Sequence, residues 1–501
     1  MARRKTITLT LPVNRVEGDL ELMIKVRDGV VIDAWSRGMM YRGFENMLKG
    51  RAPKDSLVLT PRVCGICGTA HLTAAAKALD MVCGVTIPDN ALLVRNLASM
   101  AEHLQSDMRH GLLMFMPDFA NQRYAQSSFF NEAVERYRPL NGRSAIGAIK
   151  QTKRIIEIVA IIGGQWPNSS YMVPGGVAGI MTRDDLISCR YLISRFRAWY
   201  EEAVLGCPIE RWQAVSDSGE LAHWYEEAEQ HRAGEIGFFL RCCRESGLDQ
   251  LGRGHHRFIS FGQFGCPKTD RQPAGSMVFP PGFCDGESFE PFNQENITEH
   301  VTHSRFRDYL GGLHPFNGET IPLSGEPDDH KYSLTKAPRY RDKPAETGPL
   351  AEMLCSGTPL FRDLLKTDGA SVMTRQLARL ARGAVIIPVM ERWLAAIDPD
   401  QPFYTSVKAI PDGRGYGLTG GCRGALGHWV TIENEAISRY QIITPTAWNG
   451  SPRDTNHVRG PWEEAVIGTP VEDPENPVQV AQVIRSFDAC QVCSVHCLKR
   501  T

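Results

Sequence analysis

The sequence predicts an α+β fold that is mainly helical, with a central bundle of long helices, an N-terminal β-hairpin region and two chain ends that meet at a metal site. Three observations predict it. Long segments carry apolar residues at helical spacing, the N-terminal segment alternates apolar and polar positions, and cysteine pairs stand near both ends of the 501-residue chain. Length alone suggests about three domains. A site built from both ends instead favours one interwoven domain over residues 1–501.

The N-terminal region is predicted to be β-structure. Residues 6–11 alternate in polarity, and residues 20–26 and 30–35 flank Arg27-Asp28-Gly29, a sequence typical of a hairpin turn. We therefore expect an antiparallel hairpin before the first cysteine pair.

Apolar residues recur at helical spacing in four segments, which are predicted to be helices: residues 90–116, 146–162, 184–203 and 372–396. Pro388 predicts a kink in the last of them. The chain from about 207 to 332 is rich in Gly, Pro and His, which predicts a lobe made mostly of loops. Short strands are expected at residues 429–432 and 440–443.

The charge balance excludes several classes of partner. The chain has 56 basic and 57 acidic side chains and a formal net charge of -1, so it has no electrostatic footprint for nucleic acid. The longest apolar stretch, residues 155–164, contains Glu157 and falls far short of the roughly 20 residues that span a bilayer. We expect membrane contact only through partners. No hydrophobic secretion segment follows Met1, which favours a cytoplasmic protein.

The most informative residues are two cysteine pairs, Cys64 with Cys67 and Cys490 with Cys493. Four thiolates select soft or borderline metals over magnesium or calcium. A structural zinc site usually gathers its pairs within about 15 to 20 residues, whereas here most of the chain intervenes. A zinc knuckle made from Cys490, Cys493, His496 and Cys497, or a set of disulfides, would also account for the cysteines. Against these, adjacent His496 and Cys497 point apart, and a cytosol keeps thiols reduced.

Further segments, in the same order and spacing, give the chain a family resemblance over essentially its whole length. They are Asn14-Arg-Val-Glu-Gly, Tyr41-Arg-Gly-Phe-Glu45, Lys336-Ala-Pro-Arg, Gly348-Pro-Leu, Arg423-Gly-Ala-Leu-Gly-His-Trp429 and Thr444-Pro-Thr-Ala-Trp-Asn449. With both cysteine pairs, they make the chain resemble the large, catalytic subunit of nickel-iron hydrogenases. The resemblance implies heterolytic oxidation of H2 to protons and electrons.

The resemblance also implies a metal centre. Cys64, Cys67, Cys490 and Cys493 would bind nickel, and Cys67 and Cys493 would also bridge to iron. In the family this iron carries carbon monoxide and cyanide ligands. Neither ligand follows from composition or spacing.

Roles for other residues follow from the same resemblance. Cys490 would accept the proton from H2 as a general base, and Glu17 would relay it outward. Arg423 would lie over the metals. Asp118 and Asp488 would hold Arg423 and orient the sulfurs.

The remaining site residues form two groups. Thr446 would donate a hydrogen bond to a cyanide ligand, and His71 would hydrogen-bond a bridging cysteine. Glu45, the backbone carbonyl of Ile442 and His496 would bind Mg2+ or a similar divalent ion, for which oxygen and imidazole donors are suited.

Partners are implied as well. The chain has no further cysteine sets for clusters, so electrons would pass to an iron-sulfur small subunit, in a heterodimer or a higher oligomer. Nickel-insertion factors and a maturation endopeptidase would complete the centre. The endopeptidase would remove Cys497-Leu-Lys-Arg-Thr501 after His496.

Departures from the family pattern bear on the branch. Ala489 and Cys422 stand where the family commonly has proline, and the chain is short, which resembles the cytoplasmic uptake and hydrogen-sensing branch. An uptake hydrogenase is the leading prediction, and a regulatory H2 sensor is the alternative. Sensors carry glutamine in place of His71 and end at the last motif histidine. A structural subunit related to respiratory quinone reductases would lack the four cysteines.

Overall fold

A computed structural model describes residues 6–15, 20–139, 141–270, 272–273, 275–324, 328 and 330–490. Glu17, Cys493, His496 and the segment 497–501 lie outside this part of the chain. Within it, no helix combines the length and apolar character needed to cross a membrane.

Helices dominate the described residues. In chain order the α-helices are α1 Phe44–Leu48, α2 Ser56–Leu59, α3 Gly68–Val82, α4 Asp89–Arg109, α5 Phe130–Tyr137, α6 Arg143–Ile155, α7 Glu157–Gly163, α8 Arg183–Trp199, α9 Ile209–Gln213, α10 Ser218–Glu227, α11 Glu229–Ala233, α12 Glu235–Ser246, α13 Pro349–Cys355, α14 Pro359–Thr367, α15 Val372–Ala381, α16 Gly383–Ala396, α17 Pro445–Asn449, α18 Pro461–Ala465 and α19 Val478–Ser486.

The strands form small antiparallel sheets around the helices. They are β1 Thr6–Pro12, β2 Leu20–Arg27, β3 Val30–Gly38, β4 Met172–Val173, β5 Gly176–Val177, β6 Arg257–Gly265, β7 Met277–Asp285, β8 Ser288–Glu290, β9 Ile297–His300, β10 Gly312–Leu313, β11 Ala337–Tyr340, β12 Gly413–Gly421, β13 Gly424–Glu433 and β14 Ala436–Ile443. The sheet orders are β1-β2-β3, β4-β5, β6-β7-β8, β10-β9-β11 and β12-β13-β14.

The predicted N-terminal hairpin is confirmed. β2 pairs antiparallel with β3, and β1 adds to the other edge of β2. Asp28 and Gly29 both adopt positive φ, 53° and 78°, as the tight turn between such strands requires. The alternating residues of β2 point their apolar side chains inward.

The long helical segments are confirmed, but two of them change geometry near their ends. α4 runs into a π-helix at His110–Phe115 and then a 3-10 turn at Met116–Ala120. α8 likewise continues as a π-helix at Tyr200–Leu205. Residues 146–162 form α6 and α7, with the change of helix at Ile156. The spacing of apolar residues cannot reveal such changes of helix type, because the apolar face continues through them.

The last predicted helix breaks at Arg382. The kink was expected at Pro388, six residues later. Gly383 lies against the ring of Tyr200, where a Cβ would come within 2.8 Å of ring carbons. Pro388 stays inside α16. It cannot donate to the carbonyl of Ala384, and the side-chain amide of Gln213 supplies that hydrogen bond at 2.8 Å.

The prediction of a loop-rich lobe over residues 207–332 is wrong for the first part of that segment. Helices α9 to α12 occupy most of residues 209–246, and the turns and short strands begin after them. Burial explains the helices: Leu221 and Trp224 in α10, and Ile236 and Phe239 in α12, are buried at helical spacing within their own helices. The glycines and prolines that suggested loops lie mostly after residue 246.

Helix α3 packs along β12, and this contact positions the first cysteine pair near the end of β12. Gly417 permits it, because a Cβ there would lie 1.8 Å from the carbonyl oxygen of Ala74. The N-terminus of α3 thereby lies near the end of β12, where the chain turns into β13. The predicted C-terminal strands are confirmed as parts of β13 and β14.

Candidate metal centre

Cysteines from both ends of the chain meet in the interior. Cys64 lies in the turn before α3, Cys67 is the N-cap residue of α3, and Cys490 follows α19. The Sγ atoms of Cys64 and Cys490 are 3.7 Å apart, and both side chains are fully buried. The apolar cluster around them consists of Cys64, Cys67, Ala70, Ala74, Cys422, Leu426 and Cys490.

The sulfur spacing fits two ligands of one metal ion. Two thiolates bound tetrahedrally at about 2.3 Å stand about 3.8 Å apart. The helix N-terminus at Cys67 also favours negative charge on a nearby thiolate. No group of three or more His, Cys, Asp or Glu residues within the described chain could hold a metal ion by itself. Cys493, the fourth predicted ligand, lies outside the described residues.

Arg423 occupies the tip of the β12–β13 hairpin. Gly421 and Gly424 pair as the last residues of the two strands, so Cys422 and Arg423 form the two-residue turn. Burial opposes its charge, but Asp488 and then Cys490, Cys64 and Cys67 hold the pKa of Arg423 well above its usual value. Its Nη1 has no hydrogen-bond partner among the described residues, although the side chain is buried.

Asp488 bonds directly to Arg423. Its Oδ1 accepts a 3.0 Å hydrogen bond from Nε of Arg423, and Oδ2 lies 3.0 Å from Nη1 of Arg379. Burial alone would raise its pKa, yet Arg423, His110 and Arg379 keep the pKa of Asp488 below its usual value. Its φ of 57° lies in the left-handed region, which aspartate tolerates better than most side chains.

A deeper layer of charges was not predicted from the sequence. Arg382 makes a bidentate ion pair with Asp107 at 2.7 and 2.8 Å and reaches Glu352 at 2.7 Å. It also donates to the backbone carbonyl of Cys422 at 2.8 Å. Arg379 bonds the same Asp107 at 3.1 Å. Charged residues inside otherwise apolar helical segments were the available signal.

Glu102 was also missed. Its carboxylate accepts hydrogen bonds from the backbone N–H groups of Thr69 and Ala70, at 2.9 and 3.2 Å, and so caps the N-terminus of α3. Burial, offset partly by these bonds, raises the pKa of Glu102 to about 7. The cap holds the helix that begins at Cys67.

The contacts of Asp118 differ from the prediction that it holds Arg423. Its carboxylate forms ion pairs with Arg15 and Arg485, and within the described chain no ion pair joins it to Arg423. Arg485 also donates to the backbone carbonyl of Asn14 at 3.2 Å. The π-helix and 3-10 turn that end the α4 region place Asp118 beside the N-terminal segment.

His71 begins a buried chain of hydrogen bonds. Its Nδ1 lies 3.0 Å from Nε2 of His428, whose Nδ1 lies 2.9 Å from the hydroxyl of Tyr440. Burial lowers the pKa of His71 to about 4, against the opposing effect of Cys64. Its Nε2 has no hydrogen-bond partner within the described residues. The predicted bond to a bridging cysteine stays a prediction, because Cys493 lies outside them.

Thr446 lies beside the candidate metal ligands. Its Oγ1 accepts a 3.1 Å hydrogen bond from the backbone N–H of Cys490. That bond uses the oxygen as an acceptor and leaves the hydroxyl hydrogen for another partner. The residue is at the start of α17 and is buried.

The predicted Mg2+ ligands meet at a small cavity of about 50 Å3. Glu45 accepts a 2.8 Å hydrogen bond from the backbone N–H of Ile442, and both residues line the cavity. Glu299, which the sequence did not single out, also lines it, 3.4 Å from Lys336, the first residue of one of the family segments. Burial raises the pKa of Glu299 to about 7, against the effect of Lys336. The predicted ligand His496 lies outside the described residues, as does the predicted relay Glu17.

Comparison with known proteins agrees with this geometry. A family model described as nickel-dependent hydrogenase matches residues 42–129 and 143–496. The periplasmic [NiFeSe] hydrogenase large subunit of Desulfomicrobium baculatum is 34% identical, over 97% of this chain and 94% of that protein. The uptake hydrogenase large subunit of Rhodobacter capsulatus is 26% identical, over 97% and 94% respectively.

A solved structure leads to the same family. The crystal structure of a reduced, active form of the [NiFeSe] hydrogenase from Desulfomicrobium baculatum superimposes with a TM-score of 0.84 and 31% identity, covering 98% of this chain and 100% of that one. The fold is thus the large-subunit fold, mixed helix and sheet, as predicted. The chain therefore belongs to the nickel-dependent hydrogenase family, as the large subunit of an oxidoreductase that acts on H2.

Proposed function

We propose that this large subunit oxidises H2 heterolytically as an uptake hydrogenase, at a nickel-iron centre held by Cys64, Cys67, Cys490 and Cys493. One observation carries the proposal: sulfurs from opposite ends of the chain lie 3.7 Å apart in a buried cluster beneath Arg423. The sulfur spacing and the soft thiolate donors support a single centre. In it, Cys67 and Cys493 would also bind iron.

The proton is assigned to the sulfur of Cys490. When bound, the metal centre supplies the Lewis acidity that polarises H2 and accepts its electrons. Sγ of Cys490 then acts as the general base. Water is excluded, because Cys64 and Cys490 are fully buried and apolar side chains surround them. Glu17 is proposed to take the proton outward.

Arg423 and Thr446 are proposed to face the carbon monoxide and cyanide ligands of iron. Among the described residues the buried Nη1 of Arg423 has no hydrogen-bond partner, and a diatomic ligand would satisfy it. The hydroxyl of Thr446 retains its hydrogen for the same purpose.

A divalent ion such as Mg2+ is proposed in the cavity beside Glu45. The carboxylates of Glu45 and Glu299 and the backbone of Ile442 line it, and oxygen donors suit a hard cation. Glu45 and the carbonyl of Ile442 would bind the ion together with His496. A cation there would also stabilise the ionised form of Glu299, which burial opposes.

The proposed partners are those that receive the electrons and those that assemble the metal centre. The chain pairs with a small subunit, which we propose carries the iron-sulfur clusters that receive the electrons. Nickel-insertion factors and an endopeptidase that cleaves after His496 would mature the centre. The intact mass of the active protein tests the cleavage: we expect the chain to end at His496, and full activity in a chain that ends at Thr501 would contradict it.

We propose a cytoplasmic location, with any membrane contact through partners, on the basis of the sequence pattern. The Desulfomicrobium relative is named as periplasmic. Cell fractionation decides between the two compartments, and recovery of the mature chain in a periplasmic extract would overturn the cytoplasmic proposal.

The activity is tested with the purified complex and two cysteine variants. Cys490→Ala removes a nickel ligand and the proton acceptor, so H2-dependent dye reduction should fall to background. Cys266→Ala is the matched control, since Cys266 is partly exposed and lies away from the metal ligands, and its activity should be unchanged. Undiminished turnover in Cys490→Ala would contradict the assignment.

A further inference from the structure

A second pair of thiols lies outside the metal centre. Cys284 is in β7 and Cys355 is the last residue of α13, and their Sγ atoms are 3.8 Å apart. The two residues are 71 positions apart in the sequence, so only the fold brings them together. No role in the proposed H2 chemistry uses either one.

The packing explains the close approach. Gly282 lies two residues before Cys284 on β7, and a Cβ at this position would come within 3.3 Å of Cβ of Cys355. The absence of a side chain there makes room chiefly for the ring of Phe289, 2.4 Å from the same position, and also lets the end of α13 lie against the strand. Disulfide formation requires the sulfurs to close from 3.8 Å to about 2.05 Å.

The two thiols are chemically unequal. The hydrogen bond from Cys355, opposed by burial and assisted by Arg362, lowers the pKa of Cys284. The pKa of Cys355 is raised well above its usual value by the same hydrogen bond and by burial. A cysteine of lowered pKa within reach of a second thiol is the arrangement of a nucleophilic and a resolving cysteine.

We propose that Cys284 and Cys355 form a reversible redox modification site, which peroxide-class oxidants convert to a disulfide. The Cys284 thiolate attacks one peroxide oxygen, the O–O bond breaks, hydroxide leaves, and Cys284 becomes a sulfenic acid. The Cys355 sulfur then attacks the Cys284 sulfur, forming the S–S bond and breaking the S–O bond. The thiol proton and the departing hydroxide form water. A dithiol reductant returns both electrons and restores the two thiols.

The site is connected to the metal centre through α13. Glu352, on the same helix, bonds Arg382 at 2.7 Å, and Arg382 holds the carbonyl of Cys422. At the other end of α13, Thr347 accepts a 2.8 Å hydrogen bond from the backbone of Ala425. A disulfide at Cys355 would therefore fix one end of the helix whose other end supports the hairpin that carries Arg423.

The test treats the purified complex with hydrogen peroxide, blocks free thiols by alkylation, and identifies linked peptides by mass spectrometry. We expect a peptide pair joined through Cys284 and Cys355 that disappears after dithiothreitol. The adjacent buried thiols Cys242 and Cys243 are the internal control and should stay reduced, since burial raises the pKa of both.

Two variants make the result decisive. In Cys355→Ser the Cys284 sulfenic acid should accumulate and react with dimedone, whereas Cys284→Ser should form neither adduct nor linked peptide. Recovery of both cysteines as free thiols, under conditions that oxidise the partly exposed Cys83 and Cys266, would overturn the proposal. So would dimedone labelling of Cys355 in place of Cys284.

Discussion

Asp488 bonds Arg423 directly, and residues that do not bond this arginine hold the turn that carries it. Arg382 holds the carbonyl of Cys422, the neighbouring turn residue, while pairing with Asp107 and Glu352. These charges are fully buried, so removing one partner leaves uncompensated charge in the interior.

We predict that Arg382→Gln lowers the free energy of unfolding by about 3 to 5 kcal/mol. Chemical denaturation of the purified complex measures it. The control is Arg183→Gln, since the ion pair of Arg183 with Asp400 is exposed on both sides and 3.7 Å long, and its loss should change the stability by less than about 1 kcal/mol. Equal effects of the two substitutions would contradict the structural role of the buried layer.

The carboxyl group of Glu463 should make the stability of the protein depend on pH. It is fully buried and accepts hydrogen bonds from the backbone of Ser36 and the hydroxyl of Tyr332. Burial raises its pKa from 4.5 to about 7, although Arg453 and these bonds oppose the shift. Between the unfolded and folded pKa values the folded chain holds a proton that the unfolded chain has released. Glu463 therefore costs stability progressively as pH rises through this window.

Glu463→Gln removes this titration. The stability of the wild-type protein relative to the variant should fall by about 3 kcal/mol between about pH 5 and about pH 8. Denaturation across this range provides the measurement. Glu433→Gln, at an exposed position at the end of β13, is the matched surface control. A stability difference for Glu463→Gln that does not change with pH would contradict the raised pKa.

Sequence patterns identified residues whose chemistry is local and missed those whose role depends on tertiary contact. The spacing of Cys64 and Cys67 and the motif at Arg423 pointed to the site. Asp107 looked like one polar position in a helix, because nothing in the chain near it indicates Arg379 and Arg382. Asp118 was recognised, but its partners could not be known without the path of the chain after α4.

At the scale of elements, helix breaks have causes that lie on other elements. Pro388 lies within α16 because Gln213, from α9, replaces the missing N–H donor at the carbonyl of Ala384. The break at Arg382 follows from its buried ion pairs and from Tyr200 against Gly383. Periodicity located the helices correctly, whereas the interruptions required knowledge of their neighbours.

The Gln213 hydrogen bond is testable with a double-mutant cycle. Gln213→Leu should destabilise the protein by about 1 to 2 kcal/mol, because the Ala384 carbonyl loses its donor. In a Pro388→Ala background the helix supplies its own N–H, so the same substitution should cost clearly less. Equal costs in both backgrounds, measured by chemical denaturation, would show that the bond does not compensate for the proline.

At the scale of the whole molecule, the fold joins distant parts of the chain at one point. Helix α3 brings Cys64 and Cys67, the β12–β13 hairpin brings Arg423, and the segment after α19 brings Cys490. The two cysteine pairs predicted this closure from the sequence. The helices at residues 209–246 were not predicted, because composition averaged over 207–332 concealed their apolar period.

The central claim is that the two ends of the chain close around one nickel-iron centre. Metal analysis combined with infrared spectroscopy of the purified complex tests it most directly. We predict nickel and iron bound together, with carbon monoxide and cyanide stretching bands, and loss of nickel in Cys490→Ala but not in Cys266→Ala. A complex active with H2 that contains zinc in place of nickel, or nickel without these bands, would contradict the account.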